Sequence, residues 1–284
     1  MEYNGKISIA TGLTAKTKIW KNKSVLWSEL VSVLTKPRHT SETLKEYLAS
    51  TKEEQSKIKD VGGYVGGYLR NGRRKPENVV HRQLMTLDVD FAHPEFWDDF
   101  CMQFENAAVL HATHKHHNDS PRYRLVMPLS REVTPDEYVA ISRKIASLLG
   151  IELFDNTTFE TNRLMFYPSS PKDVEFYSEV QDGVWVDADE ILASYLDWKD
   201  SSLWATADKK IQEVKGEISN QKDPRDKKGI VGAFCRAYSI SEAIEAFLKE
   251  TYIPTVDGRY SYSKGTTSSG LISEVISPPS LFPV

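Results

Sequence analysis

Two carboxylates two residues apart, Asp88 and Asp90 in Leu87-Asp88-Val89-Asp90, are the sharpest chemical feature of this sequence. On a strand, residues i and i+2 face the same side, so both carboxylates are expected to stand together while Leu87 and Val89 anchor in a core behind them. Like charges at that separation repel unless a cation lies between them, and hard oxygen ligands on a rigid strand suit Mg²⁺ or Mn²⁺. Two such ions can activate an attacking hydroxyl and neutralise a leaving pyrophosphate. An Asp-x-Asp pair by itself is equally compatible with a solvated or helix-capping role.

A second cluster, His111-Ala112-Thr113-His114-Lys115-His116-His117, holds four of the seven histidines. Strand alternation would place His114 and His116 on one face and His111 and Thr113 on the other. Such histidines can bind zinc, donate to phosphates as cations, or simply face solvent. The two cysteines, Cys101 and Cys235, are far apart, which argues against a cysteine-based zinc site and a disulfide framework; both are expected to be buried, unreactive thiols. Further on, Asp155 can supply a third metal carboxylate or serve as an Asx-turn or cap. Arg163 can grip a triphosphate through its planar fork of donors or form a surface ion pair.

The elements that must position these groups follow from periodicity. Residues 26–59 show helical spacing, with Thr40-Ser41-Glu42-Thr43 resembling a helix start, so one or two helices are expected there. Val61-Gly62-Gly63-Tyr64-Val65-Gly66-Gly67-Tyr68 has four glycines in six residues and reads as a ligand-facing loop or a plain loop or hairpin. Arg82 to Asp90 alternates as a strand. Pro94 to Phe104 is expected as a short helix, and Ala107 to Lys115 as a second strand. Arg122 to Leu129 would be a third strand, ending at Pro128. Thr134 caps a helix with Pro135 at its first position, closed by Gly150. Arg163 to Tyr167 is a fourth strand and Val184-Trp185-Val186 a fifth. The expected fold class is α+β: a mixed sheet with flanking helices. Domains are expected at 1–198 (catalytic) and 223–284 (a small helical unit and irregular tail), joined by a polar linker at 199–222.

Composition narrows the function classes. The chain has 284 residues and a net charge of −4, which argues against coating nucleic acid by bulk positive charge. Basic residues cluster locally instead: Arg70, Arg73, Arg74, Lys75 and Arg82 lie just ahead of the acidic pair. No apolar run approaches the roughly 20 residues that span a bilayer, and the start carries no signal-peptide pattern. A cytoplasmic protein without a membrane partner is expected.

In order, Leu87-Asp88-Val89-Asp90, Ala112-Thr113-His114 and Asp155 resemble the pattern of the archaeo-eukaryotic primase (AEP) superfamily: an apolar strand ending in Asp-x-Asp/Glu, a small-residue-x-His strand, then a further acidic residue. The likeness is stronger to a mobile-element branch, through Thr113-His114-Lys115-His116, through 121–129 (PRYRLVMPL), and through Asp155-Asn156-Thr157-Thr158 followed by 162–168 (NRLMFYP). It covers residues 55–180 well, and 223–252 resembles the small helical domain that follows the catalytic domain. The resemblance implies an RRM-like primase–polymerase core that makes or extends a strand on single-stranded DNA by nucleotidyl transfer from nucleoside triphosphates. It further implies that Asp88, Asp90 and Asp155 hold Mg²⁺ or Mn²⁺. His114, or His116 in its place, would bind the triphosphate with Arg163, supported by Lys115 and Arg124. The cluster Arg70, Arg73, Arg74, Lys75 and Arg82 would track the template. A separately encoded replicative helicase is the further partner implied, since no Gly-x-x-x-x-Gly-Lys-Ser/Thr occurs here. The chain ends soon after Arg259-Tyr260-Ser261-Tyr262, where relatives continue, so a truncated or separately encoded primase of a phage or mobile element is expected. The family's usual serine before Thr-His is Ala112 here. Two rivals predict different behaviour: a catalytically silent replication module that binds single-stranded DNA or recruits a helicase, and a metal-dependent nuclease.

Overall fold

The computed structural model describes residues 1–206, 224–226, 228–255 and 258–272. The chain divides into two compact units, Met1–Ser194 with Ala205–Ala207, and Tyr195–Trp204 with Asp208–Val284. Most of the expected linker, from residue 207 onward, lies outside the described residues. The class is α+β. Among the described residues no helix is long and apolar enough to cross a membrane.

The first unit runs β1 (Lys6–Gly12), β2 (Lys21–Leu26), α1 (Trp27–Leu34), β3 (Arg38–His39), α2 (Leu44–Ala49), α3 (Lys52–Ile58), β4 (Gly63–Val65), β5 (Gly67–Leu69), β6 (Val79–Val89) and α4 (Phe96–Gln103). It continues with β7 (Ala108–Ala112), β8 (Tyr123–Val133), α5 (Pro135–Leu149), β9 (Met165–Phe166), β10 (Ser169–Ser170), β11 (Ser178–Gln181) and α6 (Ala188–Ala193). Two sheets carry the fold: a five-stranded one, ordered β11-β7-β8-β6-β5, and a four-stranded one, ordered β2-β1-β4-β9. Ile7 and Ile9 of β1, Trp27, Leu30 and Leu34 of α1, and Leu84, Val109 and Val126 of the larger sheet share one buried cluster. This apolar layer fixes the sheets against each other and leaves the polar ends of β6, β7 and β8 to form a site.

Several elements have the ends their caps dictate. Thr134 accepts from the Glu137 amide, Pro135 occupies the first turn of α5, and Gly150 ends it at φ +94°. The 26–59 region holds three short helices rather than one or two, because Thr43 and Thr51 each close a capping box and start a new helix. The fifth strand expected at 184–186 is reduced to a single bridge from Val186 to Leu129, and β11 takes the sheet edge instead. Burial of the cysteines is corrected: Cys101 is exposed and Cys235 partly so. Helix α4 turns Phe96 and Phe100 inward, so Cys101 falls on its outer side.

The glycine-rich stretch forms β4 and β5 rather than an open loop. Gly67 pairs with Arg82 across β5 and β6, where a Cβ would collide with the His81 carbonyl and lie 2.9 Å from the Arg82 Cα. Gly67→Ala is therefore expected to destabilise the protein by about 1–3 kcal/mol, the usual cost of overpacking, as read from a denaturant midpoint.

In the second unit, α7 (Ile230–Ala237) and α8 (Ile240–Phe247) are followed by a three-stranded antiparallel sheet, β12 (Tyr252–Pro254), β13 (Arg259–Tyr262) and β14 (Leu271–Ile272). Ser239 caps α8 through the Glu242 amide. These strands run two to four residues, too short to display the period-2 pattern that identifies a strand in sequence.

Candidate active site

The acidic pair sits at the end of β6. Asp88 lies opposite Arg124 of β8, which lies opposite His111 of β7, so one cross-strand row brings the three together. Arg124 Nε donates to Asp88 Oδ1 at 2.8 Å, and its Nη1 donates to the Phe166 carbonyl at 2.6 Å. Asp90, just beyond the strand, meets Arg122 Nη1 at 2.8 Å. Burial raises the Asp90 pKa; the Arg122 guanidinium opposes that shift, and the Asp88 and Asp155 charges reinforce it.

Asp155 is held beside this pair by the backbone. Its amide donates to the Asp88 carbonyl at 2.9 Å, and the Asp88 amide donates to Thr158 Oγ1 at 2.8 Å. The Asp155 carboxylate caps the 3₁₀ turn Asn156–Phe159 through the Thr157 amide and accepts from Arg163 Nη2 at 2.7 Å. That same nitrogen lies 3.9 Å from Asp88 Oδ2. The cap and the ion pair are thus both realised, within a cluster of three carboxylates.

The three carboxylates line a cavity of about 190 Å³ together with Tyr47, Lys59, His111, His114, Lys115, Arg122, Arg124, Arg163 and Ser169. Their oxygen donors suit a hard divalent cation in kind. Among the described residues, however, no group of three His, Cys, Asp or Glu is arranged to hold a metal. Guanidinium groups hold the cationic positions: Arg163 on Asp155, Arg124 on Asp88 and Arg122 on Asp90. The side chains fit a divalent ion by the chemistry of their oxygen donors, and each of the three carboxylates is paired with an arginine.

The histidines separate. Strand β7 ends at Ala112 and the chain turns, with the His116 amide bonded to the Thr113 carbonyl at 2.9 Å, so the expected alternation does not extend through His116. His114 lines the cavity, with Nδ1 2.8 Å from Ser169 Oγ and Nε2 3.0 Å from Glu42 Oε1. His116 is buried outside the cavity lining, tilted against the Tyr123 ring and stacked on the Tyr177 ring, and its Nδ1 accepts from the Arg122 amide. Solvent exposure is ruled out for His111, His114 and His116, all of which are buried. His111 bonds the Ala112 carbonyl through Nδ1, and burial pushes its pKa down to about 3.

In the basic cluster, Arg70, Arg73 and Lys75 are exposed. Arg74 is half-buried over the Trp20 ring and donates to the Asn162 carbonyl. Arg82 is corrected: it is completely buried and cannot reach a nucleic acid. Lys59, Arg122, Glu42, Tyr47 and Ser169 were not singled out by sequence. Only Arg122 had a readable signal, since antiparallel pairing of Asp88 with Arg124 brings Asp90 toward Arg122 two residues on.

A family model described as the VapE N-terminal domain matches residues 1–207. The chain belongs to that family. The VapE N-terminal domain match thus includes the whole candidate site. No curated protein matches the chain. A solved structure similar to it is the AEP domain of the cyanophage S-2L primase-polymerase, at 11% identity over 66% of this chain and 88% of that one, with a TM-score of 0.36.

Proposed function

We propose that this chain is a template-directed nucleotidyltransferase of AEP primase–polymerase type, making or extending a strand on single-stranded DNA in the replication of a phage or mobile element. The observation that carries the reading is the convergence of Asp88, Asp90 and Asp155 with His114, Lys115 and Arg163 on one cavity, in the chain order of the motifs. Asp88, Asp90 and Asp155 would hold Mg²⁺ or Mn²⁺, which when bound activates the attacking hydroxyl and neutralises the leaving pyrophosphate. Arg163, freed from Asp155, would turn its donors to the triphosphate, and His114 and Lys115 would neutralise phosphate charge beside it. Arg124 is better suited to holding Asp88 in place, because it is buried and bonded on two sides.

The test is incubation with a single-stranded template, labelled nucleoside triphosphates and Mg²⁺ or Mn²⁺, beside an Asp88→Ala/Asp90→Ala control. Template-dependent product lost in the control supports the reading; cleavage of DNA without added nucleotides would favour a nuclease. A second reading, a silent DNA-binding or helicase-recruiting module, is favoured by the arginine pairing of all three carboxylates. It predicts no product with any template.

Under either reading, Arg70, Arg73 and Lys75, with Arg74 behind them, supply local positive charge for the template backbone. Arg70→Ala/Arg73→Ala is expected to weaken binding to single-stranded DNA and to flatten its salt dependence. The slope of log affinity against log salt should fall by roughly 0.7 for each phosphate contact removed, as measured by fluorescence anisotropy across a salt series.

A further inference from the structure

Both ring nitrogens of His114 are engaged, one by a carboxylate and one by a hydroxyl, although the side chain lines an anion-attracting cavity. A carboxylate only accepts hydrogen bonds, so the proton on Nε2 points at Glu42. The remaining nitrogen, Nδ1, then presents a lone pair and accepts from Ser169 Oγ. Glu42 itself is kept ionised: burial works against this, but hydrogen bonds from Thr40, from its own backbone and from His114 bring its pKa below the ordinary value. Burial lowers the His114 pKa, with Glu42 and the Ser169 backbone opposing, which favours the neutral ring in the free protein.

This arrangement is turned the wrong way for a phosphate. Ser169 lines the cavity, but its only hydroxyl hydrogen is directed at His114, leaving lone pairs toward an incoming phosphate oxygen. A phosphate that accepts there requires the chain of hydrogen bonds to reverse. Nδ1 must gain a proton from solvent and donate to Ser169 Oγ, whose hydrogen then turns to the phosphate.

We propose that Glu42, His114 and Ser169 form a proton-coupled phosphate site, in which Ser169 Oγ donates to the anion and Glu42 is the positioning residue that stabilises the His114 imidazolium. The proposal rests on the reading of the cavity as a nucleotide site. The groups facing His114 are Glu42 from the loop before α2, Tyr47 from α2, Lys59 from the end of α3 and Ser169 from β10. Lys59 alone among them opposes the added proton, and a bound phosphate offsets its charge. Lys59 and Lys115 both line the cavity, where their charge draws the anion in.

Calorimetric titration of the full chain with magnesium tripolyphosphate, at neutral pH in Tris and in Pipes, tests this through the two buffers' different ionisation enthalpies. Wild type is expected to take up close to one proton per bound anion more than His114→Asn. Glu42→Gln should bind on the order of tenfold more weakly, the equivalent of one pKa unit at His114, with less proton uptake; Glu42→Asp should recover part of both. Nitrogen NMR of His114 in the wild type reads the same event without a variant: an Nε2–H tautomer alone, and both nitrogens protonated with tripolyphosphate. Binding with no uptake beyond the His114→Asn baseline, or with an unchanged tautomer, overturns the relay while leaving the nucleotide site standing. No binding of tripolyphosphate overturns both.

Discussion

Asp90→Asn is expected to reduce template-dependent nucleotide incorporation by at least about 10²–10³-fold, the scale on which loss of one preorganised electrostatic group is felt, while leaving the melting temperature nearly unchanged. The Asp90 and Arg122 side chains are 33% and 28% exposed, and an ion pair that open contributes no more than about 1 kcal/mol. Asp88→Asn should lose activity to the same degree and stability as well. Its pair with Arg124 is 11% and 8% exposed, and breaking a buried pair costs about 3–5 kcal/mol; the retained amide oxygen, still an acceptor for Arg124 Nε, places the loss at the lower end. Thermal denaturation beside the incorporation assay separates the two variants. Full activity of Asp90→Asn would remove this carboxylate from the catalytic centre, and with it the metal reading of the pair.

The contrast between these two aspartates marks what sequence alone conveys. Period-2 spacing places Asp88 and Asp90 on one edge, and the cap residues of α5 fix both its ends, because these are properties of a few adjacent residues. The antiparallel pairing of β6 with β8 adds Arg122 by arithmetic, once register is known. Glu42, Lys59 and Ser169 carry no such mark. They reach His114 from distant segments, Ser169 through a parallel two-residue pairing of β10 with β3 that no hydrophobic pattern announces. His116 shows the opposite failure: a strand pattern continues in the sequence after the strand itself has ended at Ala112. The spacing of motifs reveals which groups converge, but not which partners hold them, and here the partners are mostly arginines.

Arg82 is the residue for which sequence context misleads most, and its replacement carries the largest expected structural penalty. It follows Arg70, Arg73, Arg74 and Lys75, so it reads as part of a basic surface, yet it is completely buried. Its guanidinium donates to the carbonyls of Gly66, Thr161 and Leu84, to Thr86 Oγ1 and to the Tyr138 hydroxyl, and it lies 3.9 Å from the centre of the Tyr138 ring. These bonds tie the β4–β5 junction at Gly66, β6 and α5 to the segment leading into β9. Arg82→Ala would leave several buried acceptors without donors and open a cavity at the same point, so a loss of about 3–5 kcal/mol is expected. For a unit of this size that corresponds to a melting temperature lower by roughly 6–20 °C. Arg82→Lys should recover only part of it, since one ammonium cannot span the fork of donors. Arg70→Ala/Arg73→Ala, in contrast, should leave the melting temperature in place while weakening DNA binding. Thermal melts of both variants decide the matter: if Arg82→Ala melts with wild type, the buried network does not hold these elements together.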